Sequence, residues 1–324
     1  MKKRKLVALL GSLLFLLLLG GCSKSNAANE KVTIYTNADE EPVEVIKNVL
    51  DKNGYKGKYT LQSFGTSELG GKLLAEGKNI EADLVTMSTF YLNSAQKKEK
   101  MFKKLDLSVD SLTRIPDYTA PFTVQEGTIF YNTDVLNELK LPVPTSLKDL
   151  ADPKYKDAIS ISDIKQSSTA WLLFQGLVDS YGEAEAKTIL KGIYKNAGDH
   201  LESSGSGPLK KVRLGEVAIG FGLRHQAVKD KQDGLPIDFV EPSEGTYTLT
   251  ESLAVVDKGE KTNPEAEKML NLILEKGRKD LLKIYPSALY EGETVNSEQV
   301  AKDQKVFPDE LTAELLEKHQ KLVD

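Results

Sequence analysis

Cysteine is almost absent from this chain: Cys22 stands alone among 324 residues, which excludes a disulfide framework and a thiolate metal site. Histidine is scarce as well, with only His200, His225 and His319 available as imidazole bases or metal ligands. Gly-x-Ser-x-Gly, His-Glu-x-x-His and a phosphate-loop lysine motif are all missing, so the common signatures of hydrolases, metalloproteases and nucleotide-binding enzymes are not written here. A secreted hydrolase that assembles its triad from distant residues stays open as an alternative. Excess basic charge is lacking too. Only 43 Lys and Arg stand against 48 Asp and Glu, whereas a phosphate backbone calls for a basic footprint. Nucleic acid is therefore not an expected partner. Nor does any apolar run reach the roughly 20 residues of a spanning helix; that from Leu6 to Leu19 has 14.

What is present begins with Lys2, Lys3, Arg4 and Lys5, a basic segment ahead of that short apolar run, the pattern of a secretory leader. The run ends in Leu19-Gly20-Gly21-Cys22. This tetrapeptide resembles the lipobox of bacterial lipoproteins, in which the cysteine thiol receives diacylglycerol and becomes the new N-terminus. The resemblance implies a signal peptide over residues 1–21, a lipidated Cys22 with a tether over 22–31, and a place on the outer face of the cytoplasmic membrane. Ser23 to Glu30 is too poor in apolar residues to pack. Without the four basic residues of the leader the net charge moves from −5 to −9. An acidic surface does not exclude a small anionic ligand, which responds to the local field.

About 300 residues remain beyond the leader, enough for two lobes with a sizeable core. Short β-branched runs alternate with amphipathic stretches, which predicts an α/β fold with mixed, mainly parallel sheets flanked by helices. Strands are expected at 32–36, 59–64, 83–87, 128–131, 158–161, 217–221, 237–240 and 253–256. Helices are expected from about 41, and at 66–75, 169–180, 183–195, 209–214 and 264–276. No repeat and no long linker separates two independent domains, so the lobes must be threaded together.

Several segments then carry a family resemblance in register. They are Tyr35-Thr36-Asn37-Ala38-Asp39, Phe64-Gly65-Thr66-Ser67-Glu68-Leu69, the stretch from Pro144 to Leu150 with Asp152 to Lys156, Gly215 to Gly220, and Pro242-Ser243-Glu244-Gly245-Thr246. Together they resemble the ferric-ion-binding-like branch of type 2 solute-binding proteins of ABC importers. The resemblance spans nearly the whole chain beyond the leader. It implies two α/β lobes joined by crossing strands near 123–132 and 247–255, closing on a ligand. Lobe 1 is then 32–125 plus 248–324, and lobe 2 is 126–247. It also implies a monomer that binds a small molecule without transforming it, a membrane permease with its ATPase as partners, and no cofactor.

Ferric ion, thiamine and sugar phosphates are all ligands of that family, so fold alone does not choose among them. Ferric-binding members carry adjacent tyrosines after the segment that corresponds to 215–220. This chain has Phe221-Gly222-Leu223-Arg224-His225-Gln226 instead. A guanidinium cannot ligate iron and would repel it. Arg224 either offers a donor fork for a phosphate-like group or forms a surface or interlobe salt bridge. Small hydroxyl residues at expected helix starts suit an anion cradle: Thr66 and Ser67; Ser167, Ser168 and Thr169; Ser204 and Ser206. Ser88 and Thr89 end a strand, where ligands sit in open α/β sheets. The competing reading is that each hydroxyl only caps its helix. His225 either bonds the ligand or is a satisfied structural histidine. Asn37 and Asp39 follow the first strand, where the family places ligand contacts, and Glu244 joins the set through its matching segment. Asp39 is either an N-cap or a carboxylate partner for an ammonium group. Anion donors in one place and carboxylates in another resemble the 2-aminoethylphosphonate-binding members most.

Overall fold

The computed structural model describes residues 31–296 and 299–324. The expected leader, Cys22 and the tether up to residue 30 lie outside the described residues. The first strand, β1 (Val32–Thr36), leads into helix α1 (Glu40–Leu50), then β2 (Tyr59–Ser63), α2 (Thr66–Glu76), β3 (Leu84–Ser88) and α3 (Thr89–Glu99). A long strand, β4 (Ala120–Asn132), is followed by α4 (Thr133–Glu138), β5 (Ile159–Ser162), α5 (Thr169–Ala197), β6 (Leu201–Glu202) and α6 (Gly207–Arg213). The chain continues with β7 (Ile219–Leu223), α7 (Arg224–Gln232), β8 (Ile237–Val240), a second long strand β9 (Thr246–Val255), α8 (Pro264–Leu281), β10 (Gln304–Lys305) and α9 (Ala313–Gln320).

Burial explains the local choices. In β1, Val32 and Ile34 face one apolar cluster while Tyr35 faces another, as the two-residue period of a strand buried on both faces requires. Helix α1 opens with Glu40 and Glu41, where the helix dipole favours acid. Its Val45, Ile46, Val49 and Leu50 join Ala266, Met269, Leu270 and Ile273 of α8 in the core, the 3.6-residue stripe of a packed helix. Ten strands form the path β2-β1-β3-β9-β4-β7-β5-β6, with β10 on β9 and β8 on β4.

The joint of the two-lobed sheet is made by the long strands. Residues 120–126 of β4 pair antiparallel with β9, and residues 127–132 pair antiparallel with β7 and β8. On either side of that joint the pairing turns parallel, β1 with β2 and β3, and β5 with β6 and β7. The expected strands at 128–131 and 253–256 are thus the ends of β4 and β9. The two expected helices at 169–180 and 183–195 are one element bent at Gly182, whose φ of 75° interrupts the helical path and suits glycine.

Arg278 of α8 locks β4 to this scaffold. Its Nε donates to Glu293 Oε1 at 2.7 Å and its Nη1 to the Phe122 carbonyl at 2.6 Å, in a buried setting. Replacing one member of a buried ion pair leaves the other charge uncompensated. Arg278→Ala is therefore expected to lower unfolding free energy by about 3–5 kcal/mol, read as a shift in denaturant midpoint.

Candidate functional site

The loops at the strand ends of both lobes converge on a small cleft of about 70 Å³. Asn37 and Asp39 reach it from the end of β1, and Phe64, Gly65 and Thr66 from the start of α2. Ser167, Ser168 and Thr169 come from the start of α5, and Ser203, Ser204 and Gly205 from the turn before α6. Gln125 of β4 with Leu249 and Glu251 of β9 form the wall where the sheet is joined, and Leu223 closes it at the end of β7. Among the described residues that line it, none is lysine, arginine or histidine.

Capping does not account for the polar residues here. The N-cap residues of α1, α2, α5 and α6 are Asp39, Gly65, Ser168 and Ser206, and none makes a side-chain cap bond. By contrast Asn132, Asn263 and Thr312 do cap the helices that they precede, away from this cleft. One hydroxyl does behave as a local cap: Ser167 Oγ accepts from Thr169 N at 3.3 Å. Gly205 lets the α5 and α6 starts meet, because a Cβ added there would lie 2.2 Å from Thr169 Oγ1.

Glu251 is the most consequential residue in the cleft. It is 6% exposed and accepts from Asn37 Nδ2 at 3.2 Å, Thr123 Oγ1 at 3.2 Å and Gln125 Nε2 at 3.3 Å. Burial, and secondarily the charge of Asp39, push its carboxyl up to about 7, against the pull of those three donors. Asp39 is pushed up to about 6, first by burial and then by Glu41, while the Ser206 hydroxyl and Lys210 oppose the shift. The amide oxygens of Asn37 and Gln125 accept from no group among the described residues. Two carboxylates and two amide oxygens thus line the cleft, complementary to a cationic donor. Hydroxyls on helix starts line the same cleft, where partial positive charge favours an anion.

Of the residues expected from sequence, Asn37, Asp39, Thr66, Ser167, Ser168, Thr169 and Ser204 line this cleft. Ser206 and Ser88 stand directly behind it: Ser206 bonds the Asp39 carboxyl, and Ser88 Oγ lies 3.2 Å from Ser168 Oγ. Ser67 bonds the Tyr91 hydroxyl, and Thr89 Oγ1 donates to the Thr250 carbonyl at 2.9 Å, so both point elsewhere.

Arg224, His225 and Glu244 do not line this cleft. The Arg224 guanidinium donates to Glu241 Oε1 at 2.9 Å, stands 3.5 Å from Glu126 Oε2 and also bonds the Gln299 carbonyl. It faces a separate cavity of about 580 Å³ beside α7, and its charge is answered by the buried Glu126 and the half-buried Glu241. His225 stacks on Tyr285 with centroids 4.2 Å apart, and burial holds its ring down at about 3, so it is a neutral wall residue. Glu244 accepts from Leu147 N at 2.9 Å, Lys148 N at 3.1 Å and Tyr181 Oη at 2.9 Å, which ties down a distant turn. Sequence reading missed Glu251 and Gln125. Their signal was an acid and an amide inside otherwise strand-like runs, Thr246 to Val255 and Ala120 to Asn132.

The pH dependence follows with a definite sign. Unfolded, Glu251 ionises near 4.5; folded, only near 7. The folded chain therefore holds the extra proton across that window, and its stability falls as pH rises through it. Thermal unfolding of the ligand-free protein is expected to show this decline, and Glu251→Gln is expected to flatten it; an equal slope in both proteins would contradict the assignment.

A sequence model of the family described as bacterial extracellular solute-binding protein matches residues 79–306. An uncharacterized protein of Haemophilus influenzae is 29% identical over 243 residues, 71% of this chain and 69% of its own length. The spermidine/putrescine-binding periplasmic protein of Salmonella typhimurium is 26% identical over 319 residues, 90% of this chain and 87% of that one. Among solved structures, iron-bound HitA from Pseudomonas aeruginosa superposes with a TM-score of 0.72 at 20% identity, covering 91% of this chain and 99% of the other.

Proposed function

This chain belongs to the bacterial extracellular solute-binding proteins, and on that footing we propose that its cleft captures a small phosphorus-containing zwitterion, 2-aminoethylphosphonate first among them. The observation that carries this reading is the pairing of Asp39 and Glu251 in one small cleft that no cationic side chain lines among the described residues. An ammonium group answers both carboxylates; a phosphonate answers the hydroxyls and helix starts of α2, α5 and α6. A phosphate without an ammonium leaves two acids unanswered, and ferric ion finds no tyrosine among the lining residues. A diamine of the kind bound by the polyamine-binding relative would set its second ammonium against positive helix ends.

In the proposed mechanism the solute docks on one lobe and recruits the other, and this differential contact shifts the population toward the closed form. Contacts that link the strand-end loops support this reading: Ser67 N donates to the Gln166 carbonyl at 3.4 Å, and Ser88 Oγ lies 3.2 Å from Ser168 Oγ. We propose the lobes as 32–125 with 248–324, and 126–247. The closed form would dock on a membrane permease driven by its ATPase and release the solute unchanged, with the chain held as a monomer to the outer face of the membrane through lipid on Cys22.

Thermal shift tests the ligand. A ligand at a hundred times its dissociation constant stabilises by about 2.7 kcal/mol. We expect such a shift with 2-aminoethylphosphonate and none with phosphate, glucose 6-phosphate, thiamine, putrescine or ferric citrate. A response to putrescine in place of 2-aminoethylphosphonate would overturn the zwitterion and keep the carboxylates as amine ligands. Glu251→Gln is expected to weaken 2-aminoethylphosphonate by 10-fold or more, since a buried charge-assisted bond contributes roughly 1.5–3 kcal/mol. Gly205→Ala, which displaces the Thr169 hydroxyl, is expected to reduce affinity while moving the unfolding midpoint little; calorimetric titration reads both variants.

A further inference from the structure

The C-terminal segment takes no part in lining the cleft, yet it grips the element that presents the cleft's longest hydroxyl run. Trp171, fully buried in the first turn of α5, donates from its backbone N to the Ser168 carbonyl at 2.9 Å. Its indole Nε1–H donates to His319 Nδ1 at 2.7 Å, 148 residues away in sequence. His319 is 2% exposed. Because an indole N–H can only donate, Nδ1 must carry the lone pair and the ring must be neutral. Burial, with Lys318 beside it, holds the histidine below its ordinary range, against Glu183 and Asp309.

A second set of ties acts just ahead of the hydroxyl run. Gln320 Nε2 donates to the Ile164 carbonyl at 3.2 Å, and Asp324 pairs with Lys165 at 2.7 Å. Ser167, Ser168 and Thr169 therefore stand between two points held by residues 319–324. The same segment reaches α3, where Ala313 N donates to Ser94 Oγ at 3.2 Å. The Phe90 ring of α3 meets Trp171 edge-on at 4.9 Å, and Phe307 meets it at 5.5 Å.

We propose that His319 is a positioning residue for the cleft: by accepting the Trp171 indole N–H it fixes the first turn of α5 and so the placement of Ser167, Ser168 and Thr169. This rests on the reading of that cleft as the solute site. It assigns to the C-terminal segment a part in ligand affinity that no contact with the solute would reveal. Trp171 is the only tryptophan in the chain, so its emission reports this hydrogen bond directly.

The test compares His319→Leu with His319→Asn, whose side-chain oxygen can take the place of Nδ1. Three readouts are used: amide hydrogen exchange over residues 166–171, Trp171 emission, and titration with 2-aminoethylphosphonate. Leaving a buried donor unpaired costs about 1–3 kcal/mol, so His319→Leu is expected to speed exchange across 166–171 about 10-fold more than in α8, to shift the emission and to weaken binding about 10-fold. His319→Asn is expected to recover most of each change. Exchange at wild-type rates in His319→Leu, or an asparagine variant that behaves like the leucine one, overturns the proposal. If the unaltered protein ignores 2-aminoethylphosphonate, the ligand reading fails, while exchange and emission still decide the role of His319.

Discussion

A carboxylate held out of water on the strand that joins the two lobes is the constraint around which the cleft is organised. Glu251 sits on β9 opposite Thr123 of β4, in the segment where the two long strands pair. Burying an ionised carboxylate is costly unless donors or a counter-charge answer it. Three neutral donors answer it in part, and its carboxyl is still pushed up to about 7. Asp39 next to it makes a second ionisation harder still, since like charges at short range oppose each other. Such a pair stores an affinity for positive charge. In the proposed function an ammonium group releases it.

The hydroxyl-bearing part of the lining is arranged by backbone direction more than by charge. Helices α2, α5 and α6 begin there, α2 behind a glycine and α5 and α6 behind serines that make no cap bond. The starts of α1, α3 and α7 likewise lack a side-chain cap bond, whereas α4, α8 and α9 have one. Ordinary helix physics makes the starts of α2, α5 and α6 suitable for an anion. The fold and the cleft chemistry are thus one arrangement: strand ends deliver helix starts, and the joining strands deliver acids.

How much of this was legible in the sequence varied with the kind of signal. Short β-branched runs and helical periodicity located β1, α1, β2, α2, β3 and α8 to within a few residues; α1 and α8 bury a regular stripe. Helix α7, Arg224–Gln232, has no apolar stripe to read, and α9 went unread although Thr312 is an N-cap followed by Glu314, Leu315 and Leu316. The hydroxyl runs were legible because several small polar residues together at helix starts are conspicuous. Glu251 was not, because a strand acid reads as a solvent-facing residue until the partner strand is known. The two readings of Arg224 could not be separated for the same reason. A lone arginine after a strand looks available, and only the tertiary structure brings Glu126 and Glu241 to it.

The central claim is that Glu251 is the carboxylate that receives an ammonium group, and its own titration tests that most directly. Carbon-13 NMR of the Glu251 side-chain carboxyl, followed across pH with and without saturating 2-aminoethylphosphonate, reads it. The account predicts ionisation near 7 in the free protein and a fall below the ordinary glutamate range once the ligand is bound. A titration that the ligand leaves unmoved would contradict it.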